Sequence, residues 1–381
     1  MSTVWIKSNK DRKKLKDDVA LLLENAAAWD WLGEEKSPVL LKPNLVVSSP
    51  ASGGATTTPA IAEGLIEWLA DHGFSNIIIA EGSWVGDSTA RAFEVCGYAA
   101  LAQKYNIPLI DLQKDSSVKR ETPIGEFKIC KTIADLEENG GSLINLPLVK
   151  GHGQTRMTCA LKNLKGCIPN AEKRRYHTLG VHKPVAYLNT LIKQAFALVD
   201  GLNPDPCWEE GGSPQKRDLL LLAKDPVAID SYACRLLGFF DEDVEYLSFS
   251  DKLGIGEGHT SDEEIINLDG TTIEKIFHSH VQSRLKNWIN STVDQRSACS
   301  SCFGNLASAL RYIEEENSGI ITQSLPSLCI GQEFKGKRLS LTQRGIGICT
   351  VAGGNISLRG CPPSKASILA FLKKEFSGEL F

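Results

Sequence analysis

The sequence predicts an α/β protein: an open, Rossmann-like, mostly parallel sheet flanked by helices, followed by a smaller C-terminal α/β domain that carries cysteines. Three observations predict it. Strand and helix signals alternate through the first third of the chain, and that alternation builds a parallel sheet covered by helices. The composition is ordinary for a globular protein, with 42% apolar and 23% charged residues over 381 positions. It excludes a disordered, collagen-like or coiled-coil chain and suits two or three domains. Finally, the chain holds 11 cysteines, and those near its end have ligand-like spacing.

The elements follow in order. Pro38-Val-Leu-Leu-Lys42 is a short apolar run of the kind that forms a buried strand. Thr58 and Pro59 open a helix as N-cap and first helical residue, Ile61, Leu65, Ile66 and Leu69 recur at helical spacing, and Gly73 stops it. Asn76–Ala80 is the next strand, and a helix from about Thr89 to Cys96 ends at Gly97. Ile107–Asp111, Ser142–Leu146 and the run ending at Ala223 are further buried strands. Asp225, ahead of Pro226, is the natural N-cap of another helix, whereas the role of Asp230 is open. The domain boundary falls near residue 290, give or take about ten, which gives domains 1–290 and 291–381. The second contains a CxxC, a helix, two strand-like runs and a last helix from about Ser364.

Ligands of open α/β sheets bind beyond the carboxyl ends of the strands. That rule collects Lys42 and Asn44, then Glu81 and Ser83, then Asn145, Lys150 and His152. The stretch from Lys150 to Lys183 adds Arg156, Lys162, Lys165, Lys173, Arg174 and Arg175, with Glu172 its only acid and with His177 and His182 among them. In a chain of net charge -4 this local excess points to an anionic small molecule or cofactor. A solvated basic face is the plainer alternative. The lysines, however, stand among Gly, Pro, Asn and Cys in Ala160–Pro169, which is loop composition. Lys150, His152, Lys162 and Asn163 are the candidate catalytic residues. Lys42, Asn44, Glu81, Ser83, Lys165 and His177 are the candidate cofactor-binding residues.

Leu41-Lys-Pro-Asn-Leu45, Thr56-Thr-Thr-Pro59, Val149-Lys-Gly-His152, Ala160-Leu-Lys-Asn-Leu164 and Lys224-Asp-Pro-Val-Ala-Ile-Asp230 together resemble the family called domain of unknown function 362. The resemblance covers residues 38–240. It implies an α/β fold and an association with iron–sulfur ferredoxin modules, with no settled reaction. The chain departs from the fused form in lacking a Cys-x2-Cys-x2-Cys-x3-Cys-Pro run.

Its late cysteines are instead Cys299 and Cys302 in a CxxC, Cys349 after a strand-like run, and Cys361 before Pro362. A close pair plus two separated thiolates suits a tetrahedral ion or a [4Fe–4S] cluster. Zinc ribbons usually show two CxxC pairs, so one pair favours the cluster, with zinc as the alternative and no metal as the third case. Cys329 is a further candidate, read more simply as a buried strand cysteine. A thioredoxin-like CxxC needs a strand before it, and Thr292–Ala298 lacks the strand pattern. The Gly331–Arg338 run nearly spells a phosphate loop, but Arg338 stands where Ser or Thr must bind magnesium.

These features predict an iron–sulfur protein with redox or cofactor-maturation chemistry on an anionic ligand, served by an electron-transfer partner. Two alternatives stand beside it: a non-redox acyl- or phosphoryl-transfer enzyme with a structural metal, and a non-catalytic ligand- or metal-binding protein. The acidic balance argues against a nucleic-acid partner. The N-terminus lacks a secretory apolar region and no run reaches membrane-spanning length, so the expectation is a cytoplasmic protein with no membrane partner.

Overall fold

A computed structural model describes residues 2–256, 265–270, 288–289, 291–316 and 327–375. The chain divides into two compact units, Met1–Phe277 and His278–Phe381.

The larger unit is built on an eight-stranded sheet. Its strands are β1 (Val4–Ser8), β2 (Val39–Pro43), β3 (Ile77–Glu81), β4 (Leu109–Asp111), β7 (Ser142–Leu146), β10 (Phe196–Gly201), β11 (Leu219–Ala223) and β12 (Ile265–Asn267). The spatial order is β12-β1-β11-β10-β7-β2-β3-β4. β11 pairs antiparallel with both β1 and β10, and every other pairing in the sheet is parallel. Two hairpins stand apart, β5 (Ser117–Thr122) with β6 (Gly125–Cys130), and β8 (Lys150–His152) with β9 (Arg156–Thr158).

Side-chain alternation along each strand sorts the core onto two faces. Val39 and Leu41 of β2 pack with Ile61, Leu65 and Leu69 of helix α2 (Pro59–Asp71) and with Val19, Leu22 and Leu23 of helix α1 (Leu15–Asn25). Leu40, between them, packs on the other face with Ile133, Leu164, Tyr176 and Leu188. Thr58 does precede α2, but its hydroxyl makes no cap bond. Its backbone N–H donates instead to Asp200 Oδ2 at 2.8 Å. Asp225 caps helix Pro226–Leu236 as its position predicts, accepting from the N–H groups of Val227 and Ala228.

The smaller unit holds a four-stranded, all-parallel sheet of β13 (Val293–Gln295), β14 (Leu328–Ile330), β15 (Arg344–Ile346) and β16 (Ser357–Leu358). Helices Ser300–Glu316 and Lys365–Glu375 accompany it. Leu306, Leu310, Ile313, Leu328, Ile330, Ile346 and Ile368 are buried. β13 corrects one expectation: a strand does precede the CxxC. With only three residues, it is too short for its apolar alternation to register. The strand-like run before Cys349 is likewise strand only over Arg344–Ile346.

Candidate functional site

The carboxyl ends of β2, β3 and β7 gather most of the polar residues singled out in the sequence. Lys42 is fully buried and its Nζ lies 2.8 Å from Glu81 Oε2. Glu81 also accepts from the backbone N–H groups of Leu45 and Gly82. Gly166 closes over this pair: a Cβ there would fall 2.6 Å from Lys42 Nζ and against Glu81 Oε1. Ser83 donates its hydroxyl to Leu45 O at 2.7 Å. Lys173 donates to the carbonyls of Gly82 and Ser83, both at 2.9 Å, and burial pulls its ammonium down to about 8. Asn163 Nδ2 donates to Asn145 Oδ1 at 2.7 Å. Lys42, Glu81, Ser83, Asn145 and Asn163 therefore already hold one another or nearby backbone.

Lys150, on β8, is also fully buried. Its Nζ donates to Asn44 Oδ1 at 3.1 Å and Ala55 O at 2.7 Å. Burial lowers its pKa to about 8. Such a lysine exchanges its proton far more readily than an exposed one.

A second cluster centres on Glu209. Its Oε1 lies 2.8 Å from Lys162 Nζ and its Oε2 lies 3.0 Å from His152 Nε2. Lys162 also donates to Thr158 Oγ1. His152 Nδ1 accepts the backbone N–H groups of Gln154 and Thr155, both at 3.1 Å. With Nδ1 an acceptor, the imidazole proton belongs on Nε2, facing Glu209. The Nε2–Glu209 approach is close but out of line for a hydrogen bond, and no other group partners Nε2 among the described residues. Burial opposes protonation of His152, Glu209 favours it and Lys162 opposes it; the balance brings the ring down to about 4. Glu209 shows the reverse. Burial favours its neutral form, but His152 and Lys162 outweigh that and hold it well below the usual carboxylate range. Burial and then Glu209 raise Glu210 to about 7. The charge of Lys165 reaches both His152 and His177, and His177 Nδ1 lies 3.1 Å from Gln154 Oε1.

Local structure explains the presentation of Glu209. Asp205, buried in the loop, accepts the N–H groups of Cys207, Trp208 and Ser213. Gly211 and Gly212 follow at positive φ, and Gly212 donates to Gly53 O. Sequence reasoning missed Glu209; its one signal is two glutamates inside a Gly- and Pro-rich loop. Helix Ala160–Asn163, which carries Lys162, is held at its N-terminus by Asp230, whose Oδ1 accepts from Ala160 N at 2.6 Å and Oδ2 from Leu161 N at 3.2 Å. Burial raises Asp230 to about 7.

In the smaller unit Cys299 and Cys302 follow β13, Cys349 follows β15 and Cys361 follows β16. Because the sheet is parallel, all four lie past the same end of it. Burial raises the Cys302 thiol, and Cys299, Cys361 and Cys349 each add to the rise. Gln332, just past β14, donates to Cys299 Sγ at 3.6 Å. Cys299, Cys302 and Cys349 are half-buried and Cys361 is exposed, whereas Cys329 is fully buried on β14. Among the described residues no three His, Cys, Asp or Glu side chains close to the spacing of a single-ion site.

The family described as Domain of unknown function (DUF362) matches residues 39–235, and the chain belongs to it. A thylakoid-associated protein of Synechocystis sp. is 24% identical over 229 residues, covering 57% of this chain and 68% of that one. The lactate racemase apoprotein from Thermoanaerobacterium thermosaccharolyticum aligns with a TM-score of 0.36 and 14% identity, over 51% of this chain and 49% of the racemase chain. The match thus spans about half the length of that racemase. No helix among the described residues is long and apolar enough to cross a membrane.

Proposed function

Starting from membership of a family without an assigned activity, we propose that this chain is an iron–sulfur protein. Cys299, Cys302, Cys349 and Cys361 would hold a [4Fe–4S] cluster, and the Met1–Phe277 unit would bind an anionic small molecule or cofactor for redox or maturation chemistry. The observation that carries the reading is the gathering of four thiols past one end of a parallel sheet, with Cys302 sensing the other three.

The donor set fits the group. Thiolates are the usual ligands of such clusters. Around zinc, four of them would stand roughly 3.8 Å apart, given a Zn–S bond of about 2.3 Å. Among the described residues no three His, Cys, Asp or Glu side chains stand at such a spacing. Gly347 stands at positive φ beside Cys302, and a Cβ at that position would lie 3.8 Å from Cys302 Sγ, an ordinary contact distance. Gln332 Nε2 directs a donor at Cys299 Sγ, the kind of bond that tunes a ligating sulfur. A bound cluster would supply one-electron transfer. The high Cys302 pKa means that ligation must release its proton, so loading is favoured by rising pH.

In the larger unit, Lys162 and the Nε2–H of His152 would orient an anionic group, with Glu209 holding both in place. Lys150 would move or hold a proton on Nζ. The test is iron, sulfide and zinc content with the visible spectrum, on oxygen-free protein, for wild type and Cys302→Ser. About four irons and four sulfides per chain, lost in the variant, support the reading. Stoichiometric zinc, or no metal in either protein, overturns it and leaves the group-transfer reading, in which Lys150 and His152 act on an anionic substrate without redox change.

A further inference from the structure

Glu209 stands where an anion held by Lys162 and His152 would stand. Its oxygens divide between two donors, Oε1 at 2.8 Å from Lys162 Nζ and Oε2 at 3.0 Å from His152 Nε2. Lys150 is the third buried group of the cluster. It donates to Asn44 Oδ1 and Ala55 O, neither of them charged, and the charge of Glu209 reaches it as well. One carboxylate therefore serves two buried ammonium groups and a buried imidazole.

Three observations mark this carboxylate as an occupant of the position. The first is exposure. The Glu209 side chain is 16% exposed, against 4% for Lys162 and 0% for His152. It is the outermost of the three, and its departure is what opens the two donors to solvent. The second is fit. The approach to His152 is out of line, so Nε2 stays buried without a hydrogen-bond partner among the described residues. Buried donors are rarely left so. A carboxylate tethered to its own backbone reaches Lys162 and misses the line of Nε2, whereas a free one can align with both. The third is the loop. Asp205 holds the N–H groups of Cys207, Trp208 and Ser213, and Gly212 donates to Gly53 O. These bonds fix the backbone on either side of Glu209 and leave its side-chain torsions free. The carboxylate can turn outwards while the loop stays in place.

We propose that the ligand of this site carries a carboxylate, which replaces that of Glu209 on Lys162 and His152, and that Glu209 closes the site until the ligand arrives. The inference rests on the reading that Lys162 and His152 orient an anion, and it needs no cluster. One carboxylate leaves as another enters, so the exchange leaves no buried ammonium without its counter-charge. The tethered carboxylate competes at an effective concentration of about millimolar or more. A bare carboxylate therefore binds the native protein weakly, and a ligand that binds it tightly brings further contacts of its own.

Acetate is the probe. It is titrated into the whole protein and followed by calorimetry and by the thermal midpoint, with inorganic phosphate and chloride as comparison anions at matched ionic strength. Glu209→Ala vacates the position. Acetate should bind this variant about tenfold more tightly than wild type and raise its thermal midpoint, which chloride should not do. Adding Lys162→Met should abolish that binding. Glu209→Gln keeps the shape of the side chain and removes its charge. It should bind acetate about fivefold more tightly than wild type, and it carries the test if Glu209→Ala does not fold. Equal acetate affinity in wild type and variants overturns the proposal and leaves the anion reading standing. So does tighter binding of phosphate than of acetate by Glu209→Ala. Binding of neither anion to the variants, or acetate binding that survives the loss of Lys162, overturns the anion reading and the proposal with it.

Discussion

Gly166 lets the Lys42–Glu81 pair exist, because any side chain there would meet both charged groups. Gly166→Ala should therefore cost about 1–3 kcal/mol through overpacking. Lys42→Met should cost more, about 3–5 kcal/mol, since it leaves Glu81 buried without its cation. Urea unfolding midpoints check both; a Lys42→Met midpoint at the wild-type value would mean that Glu81 is satisfied by backbone N–H groups alone. His152 makes the pH prediction. Its imidazole titrates near 6.5 when unfolded and at about 4 when folded. Between those values the unfolded chain binds the extra proton, so this contribution to stability is full above pH 6.5 and is lost as pH falls towards 4. Thermal midpoints across that window should decline less steeply in His152→Gln than in wild type. An identical slope would assign the titration to another group.

Helix Ala160–Asn163 is the element on which the candidate site turns. At four residues it has no stability of its own. Asp230 supplies the missing N-terminal partners from a neighbouring helix, and Asn145 and Asn189 occupy the carbonyls of Ala160 and Leu161. Asp230→Ala should destabilise the protein by about 1–3 kcal/mol and release the Ala160 and Leu161 amides to hydrogen exchange. If those amides remain protected, Asp230 does not hold the helix. Elements differ in how far a sequence discloses them. β2, β3 and β7 are legible because each is a short apolar run buried on both faces. The β5 hairpin strand alternates Lys119, Glu121 and their neighbours on an exposed ribbon, so no hydrophobic signal marks it. Asp225 is legible as a cap because its partners are local, whereas Asp230 is not because its partners lie 70 residues away.

At the scale of the whole molecule, the same distinction between local and distant partners governs the candidate sites. Lys150, His152 and Lys162 stand out within one basic loop-like stretch, but Glu209, which ties two of them together, comes from a loop that only the fold brings near. The four cysteines are legible as a set because thiols at a CxxC and before a proline have few structural explanations in common. Their unit makes the last prediction. Its strands have two or three residues, so the ladder hydrogen bonds are few and the apolar core is small. A sheet this short is marginal without a covalent or metal staple. Four thiols past one end of it tie the ends of β13, β15 and β16 through any shared guest, and a staple at that point restrains loops distant in sequence. Removing one ligand should loosen the His278–Phe381 unit before the Met1–Phe277 unit. Limited proteolysis of oxygen-free wild type and Cys302→Ser, read by mass spectrometry, should place the variant's new early cuts within 278–381, with cleavage of 1–277 unchanged. Equal cleavage of the two proteins would mean that the sheet stands without its thiols acting together.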